Sequence, residues 1–262
     1  MNNIDKAAKM LRDAAETKIS TSPIRELIGD SDLEAAYKIQ ELNTAERIRN
    51  GAHLVGRKIG LTSFAVQKQL GVDQPDYGML FSDMEIIEGG TIAWDQCMQP
   101  KAEAEIAFVL NQNIDNENIS IAQLISAIDY AVPCIEIVGS RVKDWNIKIT
   151  DTIADNASAS HFVIGHTPKK LFDINVVKTE MSLYKNGTLE STGNGKACMG
   201  SPINATWWLA KVMAKLGRGL QSGDLVLAGA LGPMVAANPG DAFEADFGAL
   251  GSVSVQFGKE NN

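Results

Sequence analysis

The sequence predicts an α+β fold in which a short helical segment precedes a rolled, mixed sheet. Residues 1–52 carry helical periodicity, whereas strand-like segments dominate after residue 54. Helices are interspersed among these strands but do not alternate with them regularly, which argues against a doubly wound parallel sheet. We therefore divide the chain into an N-terminal helical segment at residues 1–52 and a β-roll domain at residues 53–262, and expect them to act as one functional unit.

Composition indicates a globular protein and excludes several classes of partner. The chain has 262 residues, of which 45% are hydrophobic and 21% charged, and its net charge is −8 without any basic run, so we expect no nucleic-acid partner. Three widely spaced cysteines fit a reducing compartment better than a disulfide framework. The sequence shows neither a signal peptide nor a membrane-spanning apolar run, which predicts a cytoplasmic protein without a membrane partner.

The elements of the first half are predicted from periodicity, caps and turn residues. A helix is expected over residues 4–16, and a capping box that starts at Ser31 opens a second helix that ends near Gly51. Residues 54–60 predict a strand, and residues 74–78 have the composition of a turn. The next predicted elements are a helix from Thr62 or Ser63 to Leu70, a strand at 102–110, a helix at 121–130 and a strand at 131–138.

The second half is predicted to contain mostly strands and one well-capped helix. Ser201 and Pro202 have the residue types of an N-cap and first helical position, and Gly217 is a suitable end for that helix. The other predicted elements are a polar loop at 155–158, a strand at 176–185 with a hairpin turn at 185–188, a strand that enters a glycine-rich turn at 223–235, and strands at 242–247 and 252–257.

Two glutamates on the predicted strand at 102–110 are the first candidate site. Glu103 and Glu105 point to the same face because side chains alternate along a strand. Two neighbouring carboxylates on a largely apolar strand repel each other, and a divalent cation between them removes this repulsion. The alternative interpretation is a solvated strand face that carries two glutamates.

Glu136 strengthens the metal hypothesis because it interrupts an otherwise apolar run at residues 130–139. A carboxylate in such a run is usually paired or bound to a metal. Glu103, Glu105 and Glu136 together make an all-oxygen site that suits Mg²⁺ or Mn²⁺. The alternative for Glu136 is a buried salt bridge to Arg141 or Lys143.

Three further features are weaker candidates. Lys58 lies between Gly56 and Gly60, which suits close approach to a ligand, although the residues alone favour a surface lysine on an edge strand. Asp76 follows a proline in the predicted turn, where most aspartates bind only local backbone. The segment at 229–235 has glycines that expose backbone N–H groups to an anion, or simply form a tight turn.

In this order, the motifs resemble the 2-keto-4-pentenoate hydratase family, in the hydratase/decarboxylase branch of the fumarylacetoacetate hydrolase superfamily. The resemblance covers essentially the whole chain, including the N-terminal helices. It rests on Val55-Gly-Arg-Lys-Ile-Gly-Leu-Thr62, Leu70-Gly-Val-Asp-Gln-Pro-Asp-Tyr-Gly78, Pro100-Lys-Ala-Glu-Ala-Glu-Ile106, Glu136-Ile-Val-Gly-Ser-Arg141, Ile153-Ala-Asp-Asn-Ala-Ser158 and Gly229-Ala-Leu-Gly-Pro-Met-Val235.

The resemblance implies the superfamily's mixed β-roll and a metal-dependent hydro-lyase. Its substrate would be a small 2-hydroxy or 2-oxo dienoate, hydrated to 4-hydroxy-2-oxopentanoate in the meta-cleavage degradation of aromatic compounds. The implied cation is Mg²⁺ or Mn²⁺ on the three glutamates, with Lys58 and Asp76 as the proton-transfer groups. The residues expected to position the substrate and water are Ser158, Ser160, Leu231 and Gly232.

The resemblance also implies a homo-oligomer and a complex with 4-oxalocrotonate decarboxylase or the downstream aldolase. Three alternative functions stay open: 4-oxalocrotonate decarboxylation, acylpyruvate-type C–C bond hydrolysis, and a catalytically silent protein stabilised by a metal. The hydrolases tend to use a histidine-centred base, whereas Lys58 occupies the corresponding place in this chain. The glycine segment at 229–235 resembles the hydratase version, which favours the hydratase over the decarboxylase.

Overall fold

The computed structural model describes residues 2–260, apart from the side chains of Gln69 and Leu70. Within this part of the chain no helix is long and apolar enough to cross a membrane. The α-helices described there are α1 (Asn3–Thr17), α2 (Arg25–Ile28), α3 (Leu33–Arg49), α4 (Phe64–Leu70), α5 (Ile121–Ala127), α6 (Ile149–Ala154) and α7 (Pro202–Lys215).

The strands form two mixed sheets. They are β1 (Leu54–Gly60), β2 (Asp76–Phe81), β3 (Thr91–Ile92), β4 (Lys101–Leu110), β5 (Ile128–Val138), β6 (Ala159–Ile164), β7 (Glu180–Lys185), β8 (Thr188–Asn194), β9 (Leu225–Ala230), β10 (Val235–Ala236), β11 (Ala242–Asp246) and β12 (Ser252–Phe257). The larger sheet has the order β2-β1-β9-β4-β5-β6, with β10 also paired to β4, and the smaller has the order β3-β12-β11-β7-β8.

Strand β4 lies inside the larger sheet and fixes the position of the site. It pairs antiparallel with β5 on one side and with β9 on the other. Both of its faces are largely covered, as shown by the full burial of Ala104, Ile106 and Phe108 together with Glu105. Burial on both faces differs from the half-solvated strand that alternation alone would suggest.

The N-terminal helices pack against α6 through a second apolar cluster that includes Ala8, Leu11, Ile39 and Ile153. This cluster is separate from the core of the two sheets, but the ring of Tyr37 packs against both. The helical segment therefore covers the outer side of α6 and of the residues that follow it.

Several predicted boundaries in the N-terminal half differ from the structure. The N-cap of α3 is Asp32, whose side chain accepts the N–H of Ala35, so the capping box at Ser31 is wrong by one residue. Strand β5 begins at Ile128, which pairs with Leu110. Helix α5 therefore ends at Ala127, three residues before the end of the predicted helix at 121–130. The first difference is local, because Asp32 caps the helix in place of Ser31, and the second is tertiary, because pairing with β4 extends β5 back to Ile128.

The predicted turn at 74–78 is wrong at its second half, because Asp76 begins strand β2. Asp76 pairs with Gly60, and Gly78 pairs with Lys58. A Cβ at Gly78 would lie 2.3 Å from the carbonyl oxygen of Asn156, so this glycine permits a close approach between segments and does not form a turn. The sequence cannot distinguish these two uses of glycine.

Two predictions in the C-terminal half also need correction. The strand predicted at 176–185 starts at Glu180, since the side chain of Asn175 accepts the N–H of Lys178 and forms a local turn. Helix α6 has no counterpart among the predicted elements; the carboxylate of Asp151 accepts the N–H of Lys148 and caps it. The hairpin turn at 185–188, the helix that starts at Pro202 and the last two strands lie close to where the sequence predicts them.

Candidate active site

Three glutamates meet between β4 and β5. Glu103 and Glu105 are two residues apart on β4 and share a face, and Glu136 of β5 lies directly opposite Glu103 in the antiparallel register. One carboxylate oxygen from each of the three lies within 4.8 Å of the others. Glu105 and Glu136 are 1% and 0% exposed. The register of two strands therefore produces the cluster that the sequence predicted.

The donor set of this cluster fits a divalent cation. Burial raises the pKa of all three carboxyl groups, and it raises that of Glu136 to about 7 in spite of the opposing charge of Lys58. Oε1 of Glu136 lies beside the ammonium group of Lys58, and Oε2 has no hydrogen-bond partner within residues 2–260, whereas Glu105 accepts the N–H of Gly229 at 2.8 Å. Carboxylate oxygens are the ligands that Mg²⁺ and Mn²⁺ prefer.

Lys58 of β1 points at the cluster. Its Nζ lies 3.2 Å from Oε1 of Glu136 and donates a hydrogen bond to the carbonyl oxygen of Ala157 at 2.9 Å. Burial alone would lower the pKa of Lys58, but the surrounding carboxylates, led by Glu136, raise it above its ordinary value. Lys58 is therefore a buried, charged ammonium group and not the surface lysine of an edge strand.

Asp76 approaches the same space from β2. A Cβ on Gly60 would lie 2.2 Å from Oδ1 of Asp76 and 3.6 Å from Nζ of Lys58, so both groups converge above this glycine. Oδ1 of Asp76 is buried and has no hydrogen-bond partner among the described residues. Burial raises the pKa of Asp76 despite the positive charge of Lys58. The Oδ1 atom of Asp76 therefore faces the site.

The loop that holds Lys58 adopts an unusual backbone. Asn156, Ala157 and Ser158 all have left-handed φ values, at 56°, 49° and 60°. The side chain of Asn156 accepts the N–H of Met79 at 2.7 Å and donates to the carbonyl of Met79 at 2.9 Å. These two hydrogen bonds fasten the loop to β2 and aim the carbonyl of Ala157 at Lys58. The sequence predicted a polar loop here but not its contact with β2.

A cavity of about 460 Å³ opens onto these groups. Lys58, Asp76 and Glu103 line one part of it, and apolar side chains that include Ile59, Leu61, Val66, Val138, Trp145, Leu231 and Met234 line the rest. The cavity thus joins a charged end to an apolar end, as expected for a small acid with a hydrocarbon tail. Sequence analysis missed Trp145 and the threonines at 62, 152 and 192, which lie far apart in the chain.

The four predicted substrate-binding residues differ in their placement. Ser158 lines the cavity, and its hydroxyl lies 3.0 Å from the hydroxyl of Thr152. Leu231 and Gly232 also line it, but the N–H of Leu231 is already donated to the carbonyl of Ala104 at 3.0 Å. Ser160 is not among the lining residues, and its hydroxyl lies 2.9 Å from Nδ1 of His161.

Comparison with known proteins places the chain in a family. The model of the fumarylacetoacetate hydrolase C-terminal domain matches residues 43–257. The chain belongs to the fumarylacetoacetate hydrolase family. A protein of Pseudomonas putida named TodF product hydratase is 54% identical to it, over 98% of this chain and 96% of the relative. A second member, 2-keto-4-pentenoate hydratase 1 of Dechloromonas aromatica, is 50% identical over 96% of this chain and 95% of the relative.

A solved structure supports the fold. The 4-oxalocrotonate decarboxylase of Pseudomonas putida, complexed with magnesium and adipate, matches with a TM-score of 0.93 and 28% identity, over 97% of each chain. The family and the α+β fold predicted from the sequence are therefore confirmed. The N-terminal helices are part of this likeness, because the match spans nearly all of both chains.

Proposed function

We propose that this chain is a metal-dependent hydratase that adds water to 2-hydroxypenta-2,4-dienoate and releases 4-hydroxy-2-oxopentanoate. This reaction belongs to the meta-cleavage degradation of aromatic compounds, and the hydratases named above support it. The observation that carries the proposal is the convergence of three buried glutamates with Lys58 and Asp76 at one end of the cavity. The apolar remainder of the cavity suits the diene.

Glu103, Glu105 and Glu136 would hold the cation, for which we propose Mg²⁺ or Mn²⁺. When bound, the cation supplies a Lewis acid at the charged end of the cavity, where the carboxylate and 2-oxygen of the substrate would lie. The N–H of Gly229 fixes the carboxylate of Glu105. Gly229 has a φ of 101°, and a Cβ there would lie 2.2 Å from Oγ1 of Thr62, so the position requires glycine.

Lys58 and Asp76 are the groups that we propose for the proton transfers. The dienol must lose its 2-hydroxyl proton and gain a proton at C5, which leaves a double bond between C3 and C4. Water then adds its hydroxyl group to C4, and its remaining proton goes to C3. The charged ammonium of Lys58 holds a proton at the cavity wall, and the unpartnered Oδ1 of Asp76 lies beside it to accept or return one.

The remaining site residues would orient the substrate. Ser158 is held by Thr152 and offers a hydroxyl group to the cavity. Leu231 and Gly232 would form the wall against which the substrate packs. The role of Ser160 stays a prediction. Because its hydroxyl group is close to Nδ1 of His161, its side chain would have to turn away from His161 before it could contact the substrate.

Decarboxylation of 4-oxalocrotonate is the second candidate function, because the solved decarboxylase has nearly the same fold over the whole chain. Identity favours the hydratase, at 54% and 50% against 28%. Hydrolysis of an acylpyruvate is less favoured, since no histidine lines the cavity within the described residues. We also propose a homo-oligomer, and a complex with 4-oxalocrotonate decarboxylase or the downstream aldolase, from the family resemblance.

A product assay tests the proposal directly. Freshly generated 2-hydroxypenta-2,4-dienoate is supplied with Mg²⁺ or Mn²⁺, loss of the dienol absorbance is followed, and the product is identified by NMR. We expect 4-hydroxy-2-oxopentanoate with the cation and none after chelation. Release of CO₂ from 4-oxalocrotonate without hydration of the dienoate would favour the decarboxylase. Turnover that survives full chelation would contradict the metal-dependent proposal.

A further inference from the structure

Gln40 is a buried polar residue in the N-terminal helical segment, far along the chain from the residues that line the cavity. It lies on α3 and is 2% exposed. Its side-chain Nε2 donates to the carbonyl oxygen of Tyr77 at 2.8 Å and to that of Ile153 at 3.0 Å. An amide nitrogen has two hydrogens, so both are used. Gln40 therefore joins strand β2 to helix α6, two elements that do not bond to each other through their own regular ladders.

Both carbonyl groups lie next to the proposed catalytic machinery. Tyr77 directly follows Asp76 on β2, and the ring of Tyr37 stacks on the ring of Tyr77 at a centroid distance of 4.5 Å. Ile153 is in the last turn of α6, which leads into the loop whose Ala157 carbonyl accepts the Nζ hydrogen of Lys58. One side chain thus fixes the backbone beside Asp76 and the backbone that leads to the partner of Lys58.

We infer that Gln40 is a positioning residue for the hydration, setting the relative placement of Asp76 and Lys58. This inference rests on the proposed function of the same cavity. The family model matches from residue 43 onward, so Gln40 and Tyr37 lie outside the matched region even though they contact β2. The helical segment then supplies geometry to a site whose reacting groups all belong to the β-roll.

The test compares Gln40→Met with Ile39→Val. Methionine has nearly the length of glutamine but donates no hydrogen bond, so the carbonyl groups of Tyr77 and Ile153 lose their donor. Ile39 is the adjacent residue on α3, is 0% exposed and packs in the N-terminal cluster without lining the cavity. Ile39→Val loses one buried methyl group, and its kcat shows the effect of looser packing in the helical segment alone.

We expect kcat of Gln40→Met to fall about 10- to 100-fold, because small displacements of reacting groups have effects of that size. KM and the dissociation constant for Mg²⁺, measured by calorimetry, should change less than about twofold, since the three glutamates lie on β4 and β5, whereas Gln40 bonds to β2 and α6. Ile39→Val should keep kcat within about twofold of the wild type. Equal kcat in the two variants would overturn the inference.

Gln40→Glu provides a second readout that a purely space-filling role would not alter. The glutamate fills the same volume but donates a hydrogen bond only when protonated, and burial raises the pKa of a carboxyl group. The kcat of this variant, relative to the wild type, should therefore rise as the pH falls. A pH profile parallel to that of the wild type would contradict the positioning role, even where Gln40→Met folds poorly.

The failure of this inference can be separated from failure of the proposed function. If the wild type hydrates no dienoate, the proposed function is wrong, and hydrogen exchange then decides the inference. Faster amide exchange at residues 155–158 in Gln40→Met than in Ile39→Val, at matched global stability, would support the role of Gln40 in holding this loop. Equal exchange in the two variants would overturn it.

Discussion

Lys58 is the one cation among the described residues that line the cavity, and it faces four acidic groups. Asp76 and Glu103 line the cavity with it, and Glu105 and Glu136 belong to the same carboxylate cluster as Glu103. Burial of this many carboxylates beside a single ammonium group leaves an excess of negative charge in a region of low dielectric. A bound divalent cation would offset most of that excess.

Replacing Lys58 with methionine should reduce turnover more than stability. A general acid or base contributes about 10²- to 10⁴-fold to a rate, so kcat should fall by at least about 100-fold. Arg57→Met is the matched control, because Arg57 is the neighbouring residue on β1 and its ion pair with Asp224, at 2.9 Å, is also buried. Steady-state kinetics and thermal unfolding of both variants are the measurements.

Arg57→Met should lower the unfolding temperature, since it leaves a buried carboxylate unpaired, but should keep kcat near the wild-type value. Similar losses of kcat in the two variants would show that Lys58 acts through the stability of β1 and not through proton transfer.

Alternation along one strand was sufficient to predict that Glu103 and Glu105 share a face, and an apolar environment was sufficient to single out Glu136. The partner of Glu136 could not be predicted in the same way. The sequence offered Arg141 as a neighbour, but Arg141 pairs with Asp155, and Glu136 faces Lys58. Lys58 lies 78 residues earlier in the chain, and only the strand order brings it there.

Among the elements, the loop at residues 155–158 shows where sequence patterns stop being informative. Its polar composition predicted a loop, but three consecutive left-handed residues are stable only because tertiary contacts hold them. Asp155 pairs with Arg141, and Asn156 bonds to both backbone groups of Met79. Such contacts depend on the position of β2, and the sequence predicted a turn at the first residues of this strand.

Asn156→Ala should therefore lower both stability and turnover. The substitution removes two hydrogen bonds and a residue type that tolerates left-handed φ, which predicts a loss of about 1–3 kcal/mol in the free energy of unfolding. It also frees the carbonyl of Ala157 that holds Lys58, so kcat should fall about 10-fold or more. Denaturant unfolding and steady-state kinetics measure the two effects.

Asn186→Ala is the matched control for this prediction. Asn186 has a φ of 52° in the hairpin turn, its side chain donates to Asp241 at 2.7 Å, and it accepts the N–H of Ala242 at 2.9 Å. Its replacement should have a similar effect on stability and leave kcat unchanged. An equal loss of kcat in both variants would mean that the loop at 155–158 has no specific role in the site.

For the whole molecule, the chain's periodicity predicted the helical segment and the α+β class, but not the arrangement of the two sheets. That arrangement depends on pairings between distant strands, such as Gly56 of β1 with Leu225 of β9. The boundary near residue 52 also has less meaning than the sequence suggested, because Arg25 pairs with Asp151 and Gln40 bonds to both β2 and α6. We propose that both parts form one functional unit.

The last prediction concerns the linkage between protons, the cation and global stability. In the metal-free protein burial raises the pKa of Glu136 from 4.5 to about 7, and it raises those of Glu103 and Glu105 as well. A carboxyl group whose pKa is raised on folding contributes stability that is present below pH 4.5 and is lost as the pH rises through about 7. The metal-free protein should lose this stability across that window.

A divalent cation takes the place of these protons and binds only the deprotonated carboxylates. The rise in unfolding temperature caused by Mg²⁺, relative to a chelator, should therefore grow as the pH increases from about 4.5 through about 7. Burial lowers the pKa of His161 to about 4, so this residue also changes stability in this range. Because it lies outside the cluster, its contribution is the same in thermal unfolding with Mg²⁺ and with chelator, and it cancels in the difference.

A metal-induced shift that is independent of pH would show that these glutamates do not bind the cation. Glu136→Gln, which removes the group with the pKa of about 7, should weaken the shift and flatten its pH dependence.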